Sequence, residues 1–465
     1  MAYSSLGVPE RAHAPDHERP LGTMRIIPAN QHPLESDRVT SPSGGVKPLS
    51  GPTIYIGLTG AAVKRGLQLA LVLVLATGSA AATVVGSPVV AAGASGDLVK
   101  GFTPGELDIP QQAMPEVTAK AGLLASGDGA ILWSRKADQK RAMASITKIM
   151  TAVVALEESD LDEKVEVPRS SSFVGESTAY LKPGDTLTMR DLLAALLVKS
   201  GNDAAIAVAE HVAGSEDAFV AKMNAKAAEL GLTNTRFANA HGLDEPGHRT
   251  TASDLSVLAR YAMANPEFRR IVGAKEVKIK VDGRTETLEN TNLLIGNYRG
   301  VSGIKTGFTD DAGYCVIDSA ERDGVALYAV ILGTKGELQR FRDARELLDW
   351  GFAHYRPQQL ASTGTIIGES PVTDYLDLTV PAAVNEDARI PVLDVLGPIT
   401  RTVTMTTVDA PVKKGERIGV ATFTQRGEVI ATVPLVATED VAEPNPVQKV
   451  GIAIVRGWRR LTGAE

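Results

Sequence analysis

The chain has 465 residues, of which 44% are hydrophobic and 22% are charged, a composition typical of two or three globular domains and not of a chain that is disordered or fibrous throughout. Its formal net charge of -7 argues against a nucleic-acid partner, because proteins that bind nucleic acid carry an excess of basic residues on the binding surface. The single cysteine, Cys315, excludes an intrachain disulfide. It does not decide the cellular compartment, because a large exported domain with a good core needs no disulfide.

The N-terminal region has the layout of an export signal. Residues 1–63 are polar and proline-rich, and we expect them to be a disordered leader. A basic pair then precedes residues 66–96, which contain no Asp, Glu, Lys or Arg. Residues 67–76 are the most apolar part of this stretch, and small residues follow them. A basic flank, a short apolar run and small residues in this order are typical of a segment that directs export.

We therefore expect residues 64–96 to be a signal peptide or signal anchor, and the rest of the chain to work outside the cytoplasm. The strongly apolar part is nearer the length of a signal than the roughly 20 residues of a spanning helix. Cleavage of the segment stays open, as does the choice of Met1 or Met24 as the true start.

The middle of the chain predicts an α+β domain. Residues 97–118 are punctuated by Gly and Pro and are expected to be a linker, after which residues 119–360 have a globular texture. Short strand-like pieces come first, and a fully apolar run of strand length occupies residues 325–332. Strands at both ends with helices between them indicate an antiparallel sheet carrying a mainly helical insert. Helical patterns are expected over residues 146–157, 190–212, 217–230, 252–264 and 338–352.

Residues 362–441 predict a second, smaller domain. Runs rich in Val, Ile and Thr occupy residues 403–408, 418–424 and 429–436, and turn residues separate them. Short strands at such spacing are typical of an all-β domain.

The last segment, residues 447–461, has the pattern of an amphipathic basic helix. Its apolar residues fall on one helical face: Val447, Val450, Ile454, Trp458 and Leu461. The basic residues fall largely off that face: Lys449, Arg456, Arg459 and Arg460. Such a helix is typical of contact with an anionic membrane surface, although packing against the β-rich domain is the alternative.

The first chemical motif is Ser145-Ile146-Thr147-Lys148. An apolar-periodic run follows Ser145, which places it in the first turn of a buried helix, where backbone N–H groups and the helix dipole favour developing negative charge. Lys148 lies three residues further on the same face. A serine becomes a good nucleophile when a base takes its proton, and a lysine can be that base only if burial and a second cation keep it neutral. Lys305 is a candidate for that cation.

Two further motifs follow in order. Ser200-Gly201-Asn202 lies between two helical stretches, and Lys305-Thr306-Gly307 follows a plausible strand end. Each motif alone has a simpler explanation: a solvated lysine near a helix start, helix capping by Ser and Asn, and an ordinary turn. Together, in order and on suitable elements, the three motifs resemble the set found in β-lactamases and penicillin-binding proteins, and this resemblance implies a serine acyl-transfer enzyme.

Over residues 119–441 the chain resembles the low-molecular-mass penicillin-binding proteins that act as D-alanyl-D-alanine carboxypeptidases. One departure is Met143, where that family commonly has proline ahead of the nucleophile. The resemblance includes, besides the three motifs, the stretches 181–185, 234–237, 242–244, 290–292 and 339–342, and 413–415 and 434–436 in the β-rich part.

The resemblance implies a fold and a mechanism. The fold is a penicillin-binding, β-lactamase-like transpeptidase domain followed by a small all-β domain. Ser145 would attack the carbonyl between two D-alanines of a peptidoglycan stem peptide, with Lys148 as base. Ser200 would pass a proton to the departing D-alanine, and Asn202 would orient Lys148 and the substrate amide.

The substrate-binding residues are also implied by the resemblance. Lys305 and Thr306 would bind the terminal carboxylate, and Gly307 would let the substrate approach the strand. The backbone N–H groups of Ser145 and Phe308 would hold the oxyanion. β-Lactam antibiotics would acylate Ser145, no cofactor is implied, and the enzyme would work at the outer face of the cytoplasmic membrane or in the cell wall space.

Three alternatives compete with this interpretation. A metal site at His241 and His248 is less plausible than a polar Gly/Pro loop, because no His-Glu-x-x-His helix exists. A class A β-lactamase would carry a Glu-x-x-Leu-Asn loop between the second and third motifs, and residues 289–292 have the wrong spacing for it. A non-catalytic wall-binding protein would have no need for the intact motifs.

Overall fold

The computed structural model describes residues 96–463. The expected leader and all but the last residue of the expected signal segment lie outside this range.

In chain order, the elements of the first domain are β1 Asp97–Val99, β2 Ala121–Ser126, β3 Ile131–Arg135, α1 Lys148–Glu158, β4 Lys164–Glu166, β5 Thr186–Thr188, α2 Met189–Leu197, α3 Asn202–Ala213, α4 Glu216–Glu229, α5 Ala252–Ala264, α6 Pro266–Val272, β6 Glu276–Val281, β7 Arg284–Glu289, β8 Val301–Thr309, β9 Gly313–Arg322, β10 Val325–Thr334 and α7 Glu337–His354.

A six-stranded antiparallel sheet forms the centre of this domain, in the order β1-β3-β2-β10-β9-β8. Both faces of the sheet are covered, so that all six residues of β2 are buried. Alternate residues of a strand point to opposite faces. Leu123 and Ile317 therefore join the core shared with α1 to α6, whereas Leu124 and Val316 join a second core under α7. Strand β8 is left at the edge of the sheet.

Residues 97–118, which were expected to be a linker, are instead packed against this domain. Strand β1 pairs with β3, where Val99 lies opposite Trp133. Val99, Met114 and Val117 are buried. The carboxylate of Asp343 on α7 accepts hydrogen bonds from the backbone N–H groups of residues 118 and 119, each at 2.8 Å. Gly and Pro only punctuate this segment, and the apolar residues between them attach it to the core.

Side-chain caps set the start of several helices. Helices α2, α4, α5 and α6 follow Thr188, Ser215, Thr251 and Asn265, whose side-chain oxygens each accept a hydrogen bond from a backbone N–H of the first turn. Helices α1 and α3 have no such cap. Both of these helices begin at a sequence motif, so their first N–H groups lie beside the candidate site.

The helical pattern over residues 190–212 forms two helices, α2 and α3, in agreement with the expectation that the second motif lies between two helical stretches. The chain turns between them at Ser200, which has a φ of 65°, and the extended Gly201 precedes α3. The left-handed conformation at Ser200 cannot continue a helix.

The second domain is all-β, with a helix after it. Five strands form one sheet in the order β12-β13-β17-β16-β15, and β11 pairs with β14. Val380, Ile418, Phe423 and Leu435 lie in its core. The elements are β11 Tyr355–Ala361, β12 Ile366–Pro371, β13 Thr379–Val384, β14 Ala388–Leu393, β15 Ile399–Met405, β16 Arg417–Gln425, β17 Glu428–Ala437 and α8 Pro446–Thr462.

Helix α8 carries its apolar residues on an exposed face: Val447, Val450, Ile454, Trp458 and Leu461 are between 61% and 88% exposed. A capping box fixes its start, since the Asn445 side chain accepts from the N–H of Gln448 and the Gln448 side chain accepts from that of Asn445. Within residues 96–463, no helix is both long and apolar enough to cross a membrane.

Candidate active site

Ser145 lies in a short 3-10 turn, Ala144–Thr147, that leads directly into α1. Its neighbour Ala144 has a φ of 52°, a conformation that an L-residue holds only when its surroundings demand it. Gly242 packs against this turn so closely that a Cβ there would lie 2.1 Å from the Ala144 carbonyl oxygen. Only glycine allows this approach. The conformation of the turn that carries Ser145 is therefore fixed by packing against the loop that contains Gly242.

Lys148 is completely buried, and the three groups within hydrogen-bond distance of its amine are neutral. Its Nζ lies 2.8 Å from Ser145 Oγ, 2.7 Å from Asn202 Oδ1 and 2.7 Å from the carbonyl oxygen of His241. Burial, and then the charge of Lys305, lower the pKa of Lys148 well below its ordinary value, against a smaller opposing effect of nearby carboxylates. The site therefore favours a neutral amine.

The three partners of Lys148 also fix where its lone pair points. An amide oxygen and a backbone carbonyl oxygen can only accept hydrogen bonds, whereas a serine hydroxyl can also donate one. A neutral amine has two N–H donors and one lone pair. With Asn202 and His241 taking the two N–H groups, the lone pair is left for the proton of Ser145. This is the arrangement of a base and its nucleophile.

The second motif attaches a neighbouring loop to the site. Asn202 donates from Nδ2 to the carbonyl oxygen of Gly175 at 3.0 Å, and its backbone N–H donates to Ser177 at 2.8 Å. The next residue, Asp203, accepts hydrogen bonds from the backbone N–H groups of Ala179 and Leu181. Asp203 and this loop were not singled out from the sequence. Ser200 is buried in the turn before α3.

The third motif lies on the edge strand β8, next to the serine turn. A Cβ on Gly307 would lie 3.0 Å from the backbone nitrogen of Ser145, so glycine lets the strand and the turn meet. Phe308 follows on the strand; it is partly exposed, and its ring centroid lies 4.3 Å from that of Tyr314. The Thr306 hydroxyl lies 2.6 Å from that of Thr291.

Lys305 is a buried cation without a carboxylate partner in the described part of the chain. Its Nζ donates to the carbonyl oxygen of Thr306 at 3.1 Å. Burial, and then the charge of Arg340, lower the pKa of Lys305 to about 7. Arg340, which sequence reasoning left without a role, donates from its guanidinium to the Gly307 carbonyl oxygen at 3.2 Å. Lys305 on β8 and Arg340 on α7 are thus two buried basic side chains at the third motif, and an anionic group beside Lys305 would complete the site.

The two histidines of the 241–248 loop are structural parts of the site. His248 Nδ1 accepts from the N–H of Ala238 at 3.0 Å, so in the neutral ring Nε2 carries the proton and donates to Thr147 Oγ1 at 2.7 Å. Burial lowers the pKa of His248 to about 4 and that of His241 to about 3. Between residues 96 and 463, no group of three or more His, Cys, Asp or Glu side chains is arranged to hold a metal ion.

Comparisons with known proteins find relatives over both domains of the chain. A family model described as D-alanyl-D-alanine carboxypeptidase matches residues 109–336, and one described as penicillin-binding protein 5, C-terminal domain, matches residues 355–443. The D-alanyl-D-alanine carboxypeptidase DacF of Bacillus subtilis is 32% identical over 70% of this chain and 86% of its own length. DacC of Escherichia coli, of the same description, is 34% identical over 71% of this chain and 86% of its own length.

Two solved structures are similar over both domains. The D-alanyl-D-alanine carboxypeptidase DacD from Francisella tularensis superposes with a TM-score of 0.55 at 26% identity, and covers 71% of this chain and 95% of its own. Penicillin-binding protein 5 from Haemophilus influenzae superposes with a TM-score of 0.53 at 29% identity, and covers 71% and 99%.

Fold and site together define a serine hydrolase with a penicillin-binding catalytic domain and a β-rich second domain. The chain belongs to the family of D-alanyl-D-alanine carboxypeptidases. The family and the α+β fold class expected from the sequence are confirmed. The roles assigned to individual site residues stay predictions, which the geometry above makes specific.

Proposed function

We propose that this enzyme removes the terminal D-alanine from peptidoglycan stem peptides through an acyl-enzyme on Ser145. The observation that carries the proposal is the set of three contacts around Lys148, which leaves its lone pair facing the Ser145 hydroxyl. Lys148 takes the serine proton as Oγ attacks the carbonyl carbon between the two D-alanines. A positioned general base of this kind contributes roughly 10²–10⁴-fold to the rate.

The developing oxyanion is held by two backbone N–H groups, those of Ser145 and Phe308. The close approach of Gly307 to the Ser145 nitrogen supports this role, since it brings the strand beside the turn. The uncapped start of α1 adds its dipole to the same place. Loss of one oxyanion donor typically lowers the rate by about 10²–10³-fold.

The free carboxylate of the substrate binds Lys305 and the hydroxyl of Thr306. Both residues are buried, and Lys305 has no anionic side chain beside it in the described structure. A substrate carboxylate would supply the missing negative charge, which accounts for a preference for peptides with a free C-terminus. Ser200 then passes a proton to the amine of the departing D-alanine and is reprotonated by the Lys148 ammonium. Water, which loses a proton to the neutral Lys148, hydrolyses the ester, and that proton returns to Ser145.

β-Lactams present a carbonyl and a carboxylate at a similar spacing, and we propose that they acylate the same serine. Slow hydrolysis of that ester makes the enzyme their target, whereas fast hydrolysis makes it a β-lactamase. The two outcomes share the acylation chemistry and differ in turnover.

We also propose that the enzyme is exported and that α8 lies on the membrane surface. Helix α8 contacts the β-rich domain through its basic side: Arg459 donates two hydrogen bonds to Asp377 at 3.2 and 3.0 Å, and Arg456 donates to the carbonyl oxygens of Thr373 and Tyr375. Packing against that domain is the alternative to a membrane contact, and these hydrogen bonds are in keeping with it, but they leave the apolar face of α8 exposed. An exposed apolar helix face with a tryptophan fits the interface of a bilayer.

The test is the release of D-alanine. Residues 97–465 are incubated with an N-acylated pentapeptide that ends in D-Ala-D-Ala, and D-alanine is measured together with the hydrolysis of a penicillin. We expect release of D-alanine from the pentapeptide and slow hydrolysis of the penicillin. Rapid penicillin hydrolysis without D-alanine release would make the chain a β-lactamase, and binding without either reaction would make it a wall-binding protein.

A further inference from the structure

A buried carboxyl group, Asp318, lies behind the third motif and has no part in the chemistry above. It stands in the middle of β9, between Ile304 on β8 and Ala329 on β10, and is 0% exposed. Its Oδ1 accepts a hydrogen bond from Asn292 Nδ2 at 2.6 Å, and its Oδ2 has no hydrogen-bond partner among the described residues. Burying a carboxyl group in the interior of a sheet costs free energy unless its oxygens are hydrogen-bonded or its charge is paired.

Asn292, the partner of Asp318, belongs to the triplet Asn290-Thr291-Asn292, which contacts three parts of the site. Asn290 donates from Nδ2 to the carbonyl oxygens of Val272 and Ala274 after α6. Thr291 donates from its backbone to Val198, just ahead of the second motif, and its hydroxyl lies 2.6 Å from that of Thr306. The triplet was part of the sequence resemblance but carried no role.

The Thr291 hydroxyl decides which way the Thr306 hydroxyl points. If Thr306 is to donate its proton to a carboxylate, it must accept from Thr291, because a hydroxyl has one proton to give. The Thr291 hydroxyl can keep donating to Thr306 only if the next residue, Asn292, is held in place. Asn292 is fixed on both sides, since its Oδ1 accepts from the N–H of Leu294 at 3.0 Å and its Nδ2 donates to Asp318.

We propose that Asp318 is a positioning residue for carboxylate binding: as a hydrogen-bond acceptor it holds Asn292, and through it Thr291, so that the Thr291 hydroxyl directs the proton of Thr306 at the substrate. The inference rests on the carboxylate role of Thr306 proposed above. Burial raises the pKa of Asp318 to about 7, against the opposing effects of Asn292 and Arg340.

The test compares kcat/KM on two substrates, an N-acylated tripeptide ending in D-Ala-D-Ala and the same peptide as its C-terminal amide. The measured quantity is the ratio of the two values, because a general loss of folding or of nucleophile strength lowers both alike. Asp318→Leu removes the acceptor for Asn292, and we expect this ratio to fall about tenfold, through a higher KM for the free acid. Asp318→Asn retains an oxygen acceptor without a charge and should stay within about twofold of the wild type.

Two further variants keep the test decisive if Asp318→Leu does not fold. Thr291→Val removes only the hydroxyl of a half-buried loop residue and should lower the same ratio about tenfold. Ser319→Ala, a buried neighbour on β9 whose hydroxyl contacts Ser302, is the matched control and should leave the ratio unchanged.

The outcomes separate this inference from the proposed function. If the wild type shows no preference for the free acid, the carboxylate role of Thr306 is wrong. If that preference is present but Thr291→Val leaves it intact, the relay from Asp318 is wrong and the proposed function stands. An equal loss in Asp318→Asn and Asp318→Leu would show that an acceptor oxygen at position 318 is not sufficient, which contradicts the inference.

Discussion

The Nζ atom of Lys148 lies 2.7 Å from the Oδ1 atom of Asn202, although the two residues are 54 positions apart in the chain. The contact gives Lys148 a neutral acceptor where a charged one would hold it protonated. The contact links the first motif to the second. The charge of the side chain at position 202 therefore influences whether Lys148 is protonated.

Asn202→Asp should therefore disable the base by stabilising its ammonium form. We expect kcat/KM at about pH 7 to fall roughly 10²-fold, and the acid limb of the pH–rate profile to move to higher pH. Asn202→Ala is the control: it removes the acceptor without adding a charge, so it should lower activity and leave the limb where it was. An Asn202→Asp enzyme with an unshifted acid limb would rule out Lys148 as the base.

Lys305→Ala should separate substrates by their C-terminus. The variant loses the cation that pairs with the terminal carboxylate, so we expect kcat/KM to fall about 10²-fold for a peptide with a free C-terminus and much less for its amide. Lys278→Ala, at an exposed position on β6, should change neither value. Equal losses on both peptides would leave Lys305 only as an electrostatic neighbour of Lys148.

The buried histidines predict a loss of stability in acid. The pKa of His248 is lowered to about 4 from an ordinary value of 6.5, so the unfolded chain takes up a proton at a higher pH than the folded one. Stability from this group is complete above about pH 6.5 and is lost as the pH falls towards about 4. At about pH 5 the loss is on the order of 2 kcal/mol.

Urea unfolding at about pH 7.5 and about pH 5 measures this effect. His248→Asn can still accept from the Ala238 N–H and should show a smaller acid loss than the wild type. His211→Asn, at an exposed position on α3, is the control and should show the wild-type loss. The same loss in all three proteins would remove His248 from the acid response.

The C-terminal helix predicts binding to anionic lipid vesicles. A protein of residues 97–465 should sediment with the vesicles, and one that ends at Pro446 should stay in solution. Because Arg456 and Arg459 are held by the β-rich domain, the apolar face should carry most of the affinity, and Ile454→Asp should abolish it. If both lengths stay in solution at low salt, α8 is not a membrane contact.

The motif spacing predicted the Ser145–Lys148 contact, because residues three apart on a helix share a face. The need for a neutral lysine base made Lys305 a candidate for a second cation, and in the structure its charge lowers the pKa of Lys148. These inferences depend on local structure or on the resemblance to a family.

Contacts between distant parts of the chain could not be predicted in the same way. The carbonyl oxygen of His241 reaches Lys148 across 93 residues, and no sequence pattern marks a backbone carbonyl as a ligand of an amine. Asp318 follows the apolar residues 315–317 in its strand, and its partner Asn292 is 26 residues away. The packing of residues 97–118 was missed for a related reason, since a few apolar side chains among Gly and Pro have no period to detect.

The most direct test of the whole account is the intact mass of wild type and Ser145→Ala after exposure to a penicillin, with D-alanine release measured on the same samples. The wild type should gain the mass of one penicillin and release D-alanine from a D-Ala-D-Ala peptide, and Ser145→Ala should do neither. Ser172→Ala, at an exposed serine, should behave as the wild type. A Ser145→Ala protein that still gains the penicillin mass would contradict the assignment of Ser145 as the nucleophile.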